Sequence, residues 1–415
     1  MINYKEAKKI LIKSKIKIKN EFIDSSKSIN RINVMDVYCP VNYPAGTNAA
    51  FDGFAINSTE TKNLSKSNSQ NFKILKTISA GDNPKLKRIR KYETVEVMTG
   101  ALIPKYFDTI IPIEKIIFHS NRKYISINNK IKKNQHVRFV GSDYKKKDLI
   151  VKKGTIIQPS HILAFKTLGI TKIKVKKKPN ILFFSTGNEI SNNRNIDNWK
   201  VRNSNSHYIK SLSNNFLFNF IDGGILKDND GHLFKKIIKK NIRSKIDIII
   251  TSGAVSAGKH DFVPSIIKSF NLSNFFKGVL IRPGKPILFA KLKSIEKVIF
   301  GLPGNPISSS ACFRFFVHPY LLDILGVKKE KPFKAKLKNN FSKNKKLVRF
   351  LKARLTSTRD GKLEIEILKG QESYKIKSFV SSNIWALFKA GKSVFKRGEL
   401  IECYSASEPN KNIFH

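Results

Sequence analysis

The 415-residue chain has 79 lysines and arginines against 30 acidic residues, a formal net charge of +49, and 40% hydrophobic residues. Its length suits about three domains, because domains average roughly 150 residues. The charge favours anionic partners. However, the lysines are spread along the whole chain, without an RNP-type aromatic motif, a zinc finger or a basic helical arm. The composition therefore argues against a specific nucleic-acid partner.

Neither export nor membrane insertion is indicated by the sequence. No apolar stretch approaches the roughly 20 residues that span a bilayer. The first twenty residues lack the continuous apolar region and the cleavage site of a signal peptide. Cys39, Cys312 and Cys403 lie far apart and lack metal-ligand spacing. We therefore expect a cytoplasmic protein with reduced thiols.

The amino-terminal part predicts one short helix followed by a small β domain. Ala7, Ile10 and Leu11 have the spacing of an apolar helix face. Between about residues 72 and 150, the segments FKILKTIS, ETVEVMTG, DTIIPIE and KYISIN predict strands. A helix is then predicted from Ser160, as its N-cap, to a stop at Gly169, with a strand over 171–175.

From residue 180 the pattern changes to buried strands that alternate with helices. Strands are predicted over 181–184, 220–226 and 247–251, and helices over 205–217 and 231–243. This alternation predicts a parallel sheet with helices on both faces. Ligands bind such sheets at the carboxyl ends of the strands. The loops STGNE and TSGAVSAGKHD follow two of these ends, so both are predicted to bind a ligand.

Two rigid loops, RPGKP and GLPGNPIS, come next in the chain. The second opens a helix predicted over about 307–325, so Ser308 lies in a first turn, where free N–H groups attract anions. Arg282 and Lys285 are cations on a stiff turn and suit an oxyanion or phosphate. They are equally consistent with two more surface charges. Short strands up to about residue 405 predict a carboxy-terminal β domain.

Acidic residues are scarce, so those at turns and loop tips are candidate ligands. They are Asp52, Glu189, Asp228 and Asp261. Mg²⁺ is usually held by one or two carboxylates together with substrate phosphates. The alternative is N-capping of a following helix. The functional interpretation is favoured for Asp261, while for Asp228 the two are even because Asp230 is an equally good cap.

Seven motifs occur in the order and spacing of the molybdopterin molybdenumtransferase family, the MoeA and gephyrin E-domain class, which the chain resembles from about residue 5 to 405. They are NAAFDGFAI, VEVMTGALIPKYFDTIIPIE, VRFVGSD, FFSTGNEI, TSGAVSAGKHDFV, RPGKP and GLPGNPISS. The resemblance implies an α/β multidomain fold. Its parts would be a discontinuous helical and strand domain (1–45 and 145–178), an inserted β domain (46–144), a molybdopterin-binding-like α/β domain with a parallel-rich sheet (179–326) and a carboxy-terminal β-barrel (327–408).

The resemblance also implies an activity, that of a molybdopterin molybdotransferase in molybdenum cofactor biosynthesis. Such an enzyme inserts molybdenum from molybdate into adenylylated molybdopterin, molybdopterin-AMP, with Mg²⁺ and with release of AMP. The family resemblance further implies a homodimer with a shared active site and a possible molybdopterin adenylyltransferase partner. It implies no specific nucleic acid and no membrane partner.

Individual roles follow from the same resemblance. Groups implied to be needed for catalysis are Asp52, Thr99, Asp143, Glu189, Asp228 and Asp261. Glu189 and Asp261 would hold the metal. Substrate-binding residues would be Ser252, Gly253, Ser256, Gly258, Lys277, Lys285, Pro303, Asn305 and Pro306. Molybdate would be bound by Arg282, Pro283, Ser308, Arg349 and Ser373.

Five residues depart from the pattern of the family that the chain resembles. Ala254 replaces a usual glycine, Lys259 a frequent acid, Asn188 and Asn203 a usual aspartate, and Arg282 a common lysine, which keeps the charge. The methyl group of Ala254 is tolerable only if its φ is negative, so its backbone angle could damage the pocket. These departures leave open a catalytically weakened pterin-binding relative. The charge leaves open a basic nucleic-acid-binding protein.

Overall fold

The computed structural model describes residues 1–118, 122–215, 218–255, 261–293 and 295–405. The chain divides into two compact units. The first comprises Met1–Met35, Lys153–Gln158 and Ile173–His415, and the second comprises Asp36–Lys152 and Pro159–Lys172. Among the described residues, no helix is both long enough and apolar enough to cross a membrane.

The second unit is built on a six-stranded mixed sheet. Its strands, in sheet order, are Thr109–Pro112, Gly53–Ile56, Glu93–Val97, Gln70–Ile78, Tyr124–Ile127 and Ile117–Phe118. Successive side chains of one strand enter two different cores, because side chains alternate along a strand. Phe54 packs in one core and Ala55 in the other. The predicted strands of this β domain are therefore present.

Smaller elements complete the second unit. Val137–Arg138 pairs with Asn48–Ala49, and Leu149–Val151 pairs with Val37–Tyr38, both antiparallel. The helix Pro159–Thr167 begins one residue before Ser160. The prediction that Ser160 is the N-cap is therefore wrong, because proline, with its fixed φ and missing N–H, takes the first helical position.

In the first unit, the predicted amino-terminal helix is present as Tyr4–Lys13. It begins with a capping box in which Asn3 accepts from the Glu6 N–H and Glu6 accepts from the Asn3 N–H. Ala7 and Leu11 are buried, as their spacing predicts. The strand Asn20–Asp24 pairs with Lys172–Lys176.

A six-stranded sheet forms the centre of the first unit. Its strands, in sheet order, are Asn219–Leu226, Asn180–Thr186, Ile248–Ser252, Val298–Leu302, Leu288–Leu292 and Leu272–Lys277. The first four strands pair in parallel. Leu288–Leu292 pairs antiparallel with both of its neighbours. Ile181 and Leu182 pack in different cores, so both faces are covered, as predicted. The helices of this region are Ser204–Asn215, Gly231–Asn241, Val263–Lys268, Pro306–Cys312 and His318–Ile324.

The helix predicted over about 307–325 is interrupted. Pro306–Cys312 and His318–Ile324 are α-helical, and the five residues Phe313–Val317 between them form a π-helical segment. The apolar pattern predicted the extent of this helix, but it did not indicate the π-helical segment.

A closed five-stranded barrel follows, because Val348–Ser357 pairs with both Leu363–Ile367 and Ile384–Phe388. The remaining barrel strands are Phe333–Leu337 and Leu400–Ser405. The strand Ile281–Arg282 precedes the barrel in the chain and pairs in parallel with the first two residues of Val348–Ser357. Short elements are the strand pairs Phe341–Ser342 with Val394–Phe395 and Ile190–Ser191 with Val201–Arg202, and the helix Lys377–Val380.

Candidate active site

A cleft of about 700 Å³ lies at the carboxyl ends of the parallel strands in the first unit. It is bordered by residues after the strands Asn180–Thr186 and Ile248–Ser252 and by the loop that opens the helix Pro306–Cys312. Both predicted ligand loops meet here. The predicted site residues that line the cleft are Glu189, Asp228, Ser252, Gly253, Asp261, Pro303, Asn305 and Pro306.

The loop after Ile248–Ser252 packs tightly against its neighbours because of Gly253. The Gly253 N–H donates to the carbonyl oxygen of Leu302 at 2.9 Å. Its φ is +107°, and a Cβ there would lie 2.4 Å from the carbonyl oxygen of Thr186. Only glycine fits this close approach of two chain segments.

Ala254, the next residue, has a φ of +51°. The condition for an unstrained methyl group, a negative φ, is therefore not met, and the backbone is in the left-handed region. An L-residue pays roughly 1–2 kcal/mol for this conformation. The loop is thus strained at Ala254 while the cleft retains its form.

Asn188 orients the segment that carries Asp228. The Asp228 N–H donates to Asn188 Oδ1 at 3.1 Å, and Lys200 Nζ donates to the Asn188 carbonyl oxygen at 2.9 Å. An amide oxygen accepts this bond as an aspartate oxygen would. Asp230, not Asp228, is the N-cap residue of Gly231–Asn241, and its side chain accepts from the Lys227 N–H. Asp228 is therefore available to the cleft.

Asn203 is buried, with a relative exposure of 6%. Its Oδ1 accepts from Ser185 Oγ at 2.5 Å, and its Nδ2 donates to Asn192 Oδ1 at 2.9 Å. The second bond needs a donor, which a carboxylate lacks. The replacement of the family's aspartate by asparagine is thus matched to the partner Asn192.

Several residues that line the cleft were not predicted from the sequence, and two of them, Asn205 and Tyr374, bear on its structure. Asn205 Nδ2 donates to Ser252 Oγ at 2.6 Å and to the Gly304 carbonyl oxygen at 2.7 Å, and so links two walls of the cleft. Tyr374, from a loop of the barrel, lines the same cleft and is 66% exposed. Asn205 lies in the first turn of the helix Ser204–Asn215, three residues after the short strand Val201–Arg202, and could have been found. No feature of the sequence indicated Tyr374.

The carboxylates of the cleft fit Mg²⁺ by their chemistry. Glu189, Asp228 and Asp261 supply the hard oxygen donors that Mg²⁺ prefers. Within the described part of the chain, no group of three or more His, Cys, Asp or Glu residues could hold a metal by itself. Substrate phosphate and water would therefore have to supply most of the ligands, as is usual for Mg²⁺.

A second cavity, of about 470 Å³, lies between the barrel and the strand Ile281–Arg282. Arg282 and Arg349 both line it, and they are register partners on adjacent parallel strands. Arg349 Nε is buried and has no hydrogen-bond partner in the structure. Burial, and then the charge of Arg282, lower the pKa of Arg349 from its usual value. The pocket thus brings together two predicted molybdate ligands and offers a buried donor to an anion.

The other predicted molybdate ligands lie beside this pocket. Ser308 is buried in the helix Pro306–Cys312, and the Ser373 carbonyl oxygen accepts from the Ile307 N–H at 3.2 Å. Gly284 has a φ of +97°, and a Cβ there would lie 2.4 Å from Cys312 Sγ. The turn Arg282-Pro283-Gly284 therefore packs closely against the helix Pro306–Cys312.

Asp52 and Thr99 are in direct contact in the second unit. Asp52 Oδ1 accepts from the Thr99 N–H at 2.6 Å and from Thr99 Oγ1 at 2.8 Å. The backbone bond first, and then the side-chain bond, lower the pKa of Asp52. The structure thus joins two residues that the sequence predicted separately. Asp143 is exposed in the same unit, and its N–H donates to the Tyr43 carbonyl oxygen at 3.1 Å.

The remaining predicted residues fall outside these cavities or outside the described chain. Lys277 and Lys285 are not among the described residues that line the two cavities. Ser256, Gly258 and Lys259 lie outside the described residues.

Family models and known proteins agree on what the chain resembles. Models of the MoeA N-terminal region (domain I and II), a probable molybdopterin binding domain and the MoeA C-terminal region (domain IV) match residues 2–169, 183–323 and 334–405. The molybdopterin molybdenumtransferase of Staphylococcus epidermidis is 30% identical over 406 residues, 97% of this chain and 94% of that protein. That of Staphylococcus aureus strain COL is 30% identical over 381 residues, 91% of this chain and 88% of that protein.

Solved structures share the fold over nearly the whole chain. A molybdopterin biosynthesis MoeA protein from Pyrococcus horikoshii has a TM-score of 0.81 at 27% identity and covers 98% of this chain and 99% of its own. A second structure of a protein so named from that organism has a TM-score of 0.80 at 24% identity, covering 97% and 99%.

The fold and the strand-end cleft define a multidomain transferase of molybdenum cofactor biosynthesis. The chain belongs to the molybdopterin molybdenumtransferase family. The expected fold, with its molybdopterin-binding α/β domain and its closed carboxy-terminal barrel, is confirmed.

Proposed function

We propose that this protein inserts molybdenum from molybdate into molybdopterin-AMP and releases AMP, as a cytoplasmic enzyme. The observation that carries the proposal is the pairing of two cavities in one unit. One is the strand-end cleft with Glu189, Asp228 and Asp261. The other is the pocket in which Arg282 faces Arg349, whose Nε–H has no partner.

The cleft would bind the pterin and nucleotide phosphates. It has the volume of a small-molecule site, which is commonly 300–1,000 Å³. Gly253 packs against Leu302 and Thr186 and so fixes the start of the loop that forms one wall of this cleft. Glu189 and Asp261 would hold Mg²⁺, which would supply a Lewis acid at the phosphoanhydride. AMP release cleaves that bond and consumes one water molecule.

The arginine pocket would bind molybdate as a substrate. Molybdate is a tetrahedral dianion, and guanidinium groups donate to oxyanions through two parallel N–H bonds. Two like charges in one partly buried pocket repel each other, so a dianion between them relieves the repulsion and gives Arg349 Nε an acceptor. The cations therefore select an anion by charge and hold it beside the cleft.

The second unit would contribute through the pair Asp52 and Thr99. Thr99 holds the Asp52 carboxylate in its ionised form and in one orientation. We propose a homodimer with a shared active site, in which Asp52 and Thr99 serve the site of the other copy of the chain. A molybdopterin adenylyltransferase partner would supply the adenylylated substrate.

The deciding experiment is AMP release from molybdopterin-AMP in the presence of Mg²⁺ and molybdate. The parent protein should release AMP and yield molybdenum cofactor. In Asp261→Asn the rate of AMP release should be at least about 100-fold lower, because a charge that would face the phosphate is lost. Glu366→Gln is the matched control, since Glu366 pairs with Lys338 on the barrel surface. Absence of AMP release by the parent, above the rate without protein, would contradict the proposal.

The same assay separates the alternative of a weakened pterin-binding relative, which predicts tight pterin binding without turnover. Asn188 and Asn203, two of the departures that motivate it, form hydrogen bonds that support the cleft. Those bonds favour a working site over a decaying one.

A further inference from the structure

Lys352 is a buried lysine whose hydrogen bonds all converge on one loop. It lies on the barrel strand Val348–Ser357 and is only 1% exposed. Lysine is almost never fully buried unless its ammonium group has partners. Here Nζ donates to the carbonyl oxygens of Gly370 at 2.7 Å, Lys375 at 3.0 Å and Glu372 at 3.3 Å. All the donors of the ammonium group are thus used to hold residues 370–375.

The backbone of Lys352 holds the same loop through Gln371. The Lys352 N–H donates to Gln371 Oε1 at 3.0 Å, and Gln371 Nε2 donates to the Lys352 carbonyl oxygen at 2.8 Å. Gln371 Nε2 also donates to the Leu368 carbonyl oxygen at 2.7 Å. Side chain and main chain of a single residue therefore fasten the loop to the barrel strand.

Residues 370–375 border both cavities. Gly370, Gln371 and Glu372 line the arginine pocket. Tyr374, two residues further on, lines the strand-end cleft. Between them, the Ser373 carbonyl oxygen accepts from the Ile307 N–H in the first turn of Pro306–Cys312. A shift of this loop would change the wall of both cavities together.

Arg349 lies three residues before Lys352 on the same strand. The strand therefore carries the guanidinium of the proposed molybdate pocket and, three residues further along, the ammonium group that holds the loop 370–375. Carbonyl oxygens that are buried without hydrogen-bond partners are unfavourable, so removal of Nζ would require the loop to move until water reaches these three oxygens.

We propose that Lys352 is a positioning residue that fixes the loop 370–375 so that molybdate and the adenylylated pterin are held at a constant separation. The proposal rests on the function proposed above. Lys352 itself touches neither substrate, because its ammonium group is occupied by backbone carbonyls.

The test compares Lys352→Met and Lys352→Arg with Lys338→Met, which removes an equal charge from the exposed barrel surface. Hydrogen exchange of the amides over residues 368–376 is measured in each variant without ligand, and molybdate binding is measured by titration calorimetry. In Lys352→Met we expect exchange in the loop to rise about tenfold. We also expect molybdate affinity to fall by about 10-fold to 100-fold, since a displacement of about 1 Å can cost that much.

Further readouts distinguish positioning from loss of fold. Lys352→Arg should restore most of the molybdate affinity, because the guanidinium can donate to the same carbonyls. The KM for molybdate should rise more than kcat falls in Lys352→Met. If Lys352→Met does not fold, Gln371→Leu removes the other half of the fastening and should show the same rise in exchange.

Parent-like loop exchange in a folded Lys352→Met, or in Gln371→Leu where the first variant does not fold, would overturn the proposal. A rise in exchange with undiminished molybdate affinity would also overturn it. If the parent protein binds no molybdate while exchange rises in Lys352→Met, the proposed function fails and the loop-fixing role of Lys352 stands.

Discussion

Arg349 lies in register with Arg282 on adjacent parallel strands, and its Nε–H is buried without an acceptor. The chain therefore keeps two positive charges side by side at the rim of a pocket, where each disfavours the other. Such an arrangement is favourable when an anion lies between the two groups.

Arg349→Ala should lower molybdate affinity by at least about 100-fold, because a charge-assisted and partly buried contact is lost. Without anion, the variant should be no less stable than the parent, since like-charge repulsion is relieved. A ligand at 100 times its Kd stabilises by about 2.7 kcal/mol, so molybdate should raise the Tm of the parent but not of the variant.

The control for this change is Arg354→Ala, at an exposed arginine of the same strand that donates to the Ser381 carbonyl oxygen. It should keep the molybdate-induced rise in Tm. Retention of that rise by Arg349→Ala would show that the anion binds elsewhere.

Glu372 places a carboxylate in the wall of the arginine pocket, where it pairs with Lys375 Nζ at 3.1 Å. Glu372→Gln should tighten molybdate binding a few-fold, because a charge of the same sign as the ligand is removed, and the effect should shrink with added salt. Lys375→Met should instead weaken molybdate binding, because a positive charge is removed. Titration calorimetry at low and high salt measures both, and equal affinities for all three proteins at low salt would contradict this prediction.

Ala254→Gly should stabilise the protein by about 0.5–1 kcal/mol. The change relieves roughly 1–2 kcal/mol of left-handed strain at a φ of +51°, and it loses about 0.4–1 kcal/mol through the greater freedom of the unfolded chain. Urea unfolding gives the free-energy difference. Ala164→Gly, inside the helix Pro159–Thr167, should destabilise by about 1 kcal/mol, so the two substitutions should differ in sign.

Asn203→Asp should destabilise the protein by about 1–3 kcal/mol at neutral pH, because the new carboxylate is buried and cannot donate to Asn192 Oδ1. Burial raises the folded-state pKa of such an aspartate, so the loss of stability should diminish as the pH falls through that raised value. Asn188→Asp is the matched control. Asn188 is exposed, and its side-chain oxygen accepts from the Asp228 N–H as a carboxylate oxygen would, so denaturant unfolding should show little change.

Thr99→Val should raise the pKa of Asp52 towards its usual value, because the Oγ1 donor to the carboxylate is lost. A carboxyl group with a lowered folded-state pKa stabilises the fold above the unfolded-state pKa, and this contribution disappears as the pH falls through the lowered value. NMR titration of the Asp52 carboxyl carbon should therefore show a higher midpoint in the variant. Thr99→Ser, which keeps the hydroxyl, should titrate like the parent.

Much of the fold was predictable from local patterns. The spacing of Ala7, Ile10 and Leu11 predicted the first helix, and the apolar runs over 181–184 and 247–251 predicted neighbouring buried strands. Hydrophobic periodicity reports which side of an element is buried. It does not report how a helix is wound, so the π segment Phe313–Val317 was not predicted.

The candidate site was predictable to the extent that it lies at strand ends. The loops with Glu189 and Asp261 were placed together because parallel strands bring their carboxyl ends to one edge. Tyr374 and Lys352 could not be found in this way. Their roles depend on the loop 370–375 of the barrel, which borders the cleft although it lies more than one hundred positions after Asp261 in the chain.

Local patterns in the chain were sufficient to indicate the family, the order of the elements and the residue types available for chemistry, because motifs and periodicity are properties of neighbouring residues. Which of these residues come into contact was seen only in the folded chain. Arg282 lies in register with Arg349, Asn203 Nδ2 donates to Asn192 Oδ1, and Ala254 has a left-handed backbone beside the contact of Gly253 with Leu302. Contacts between residues far apart in the chain depend on packing geometry, which no local pattern encodes.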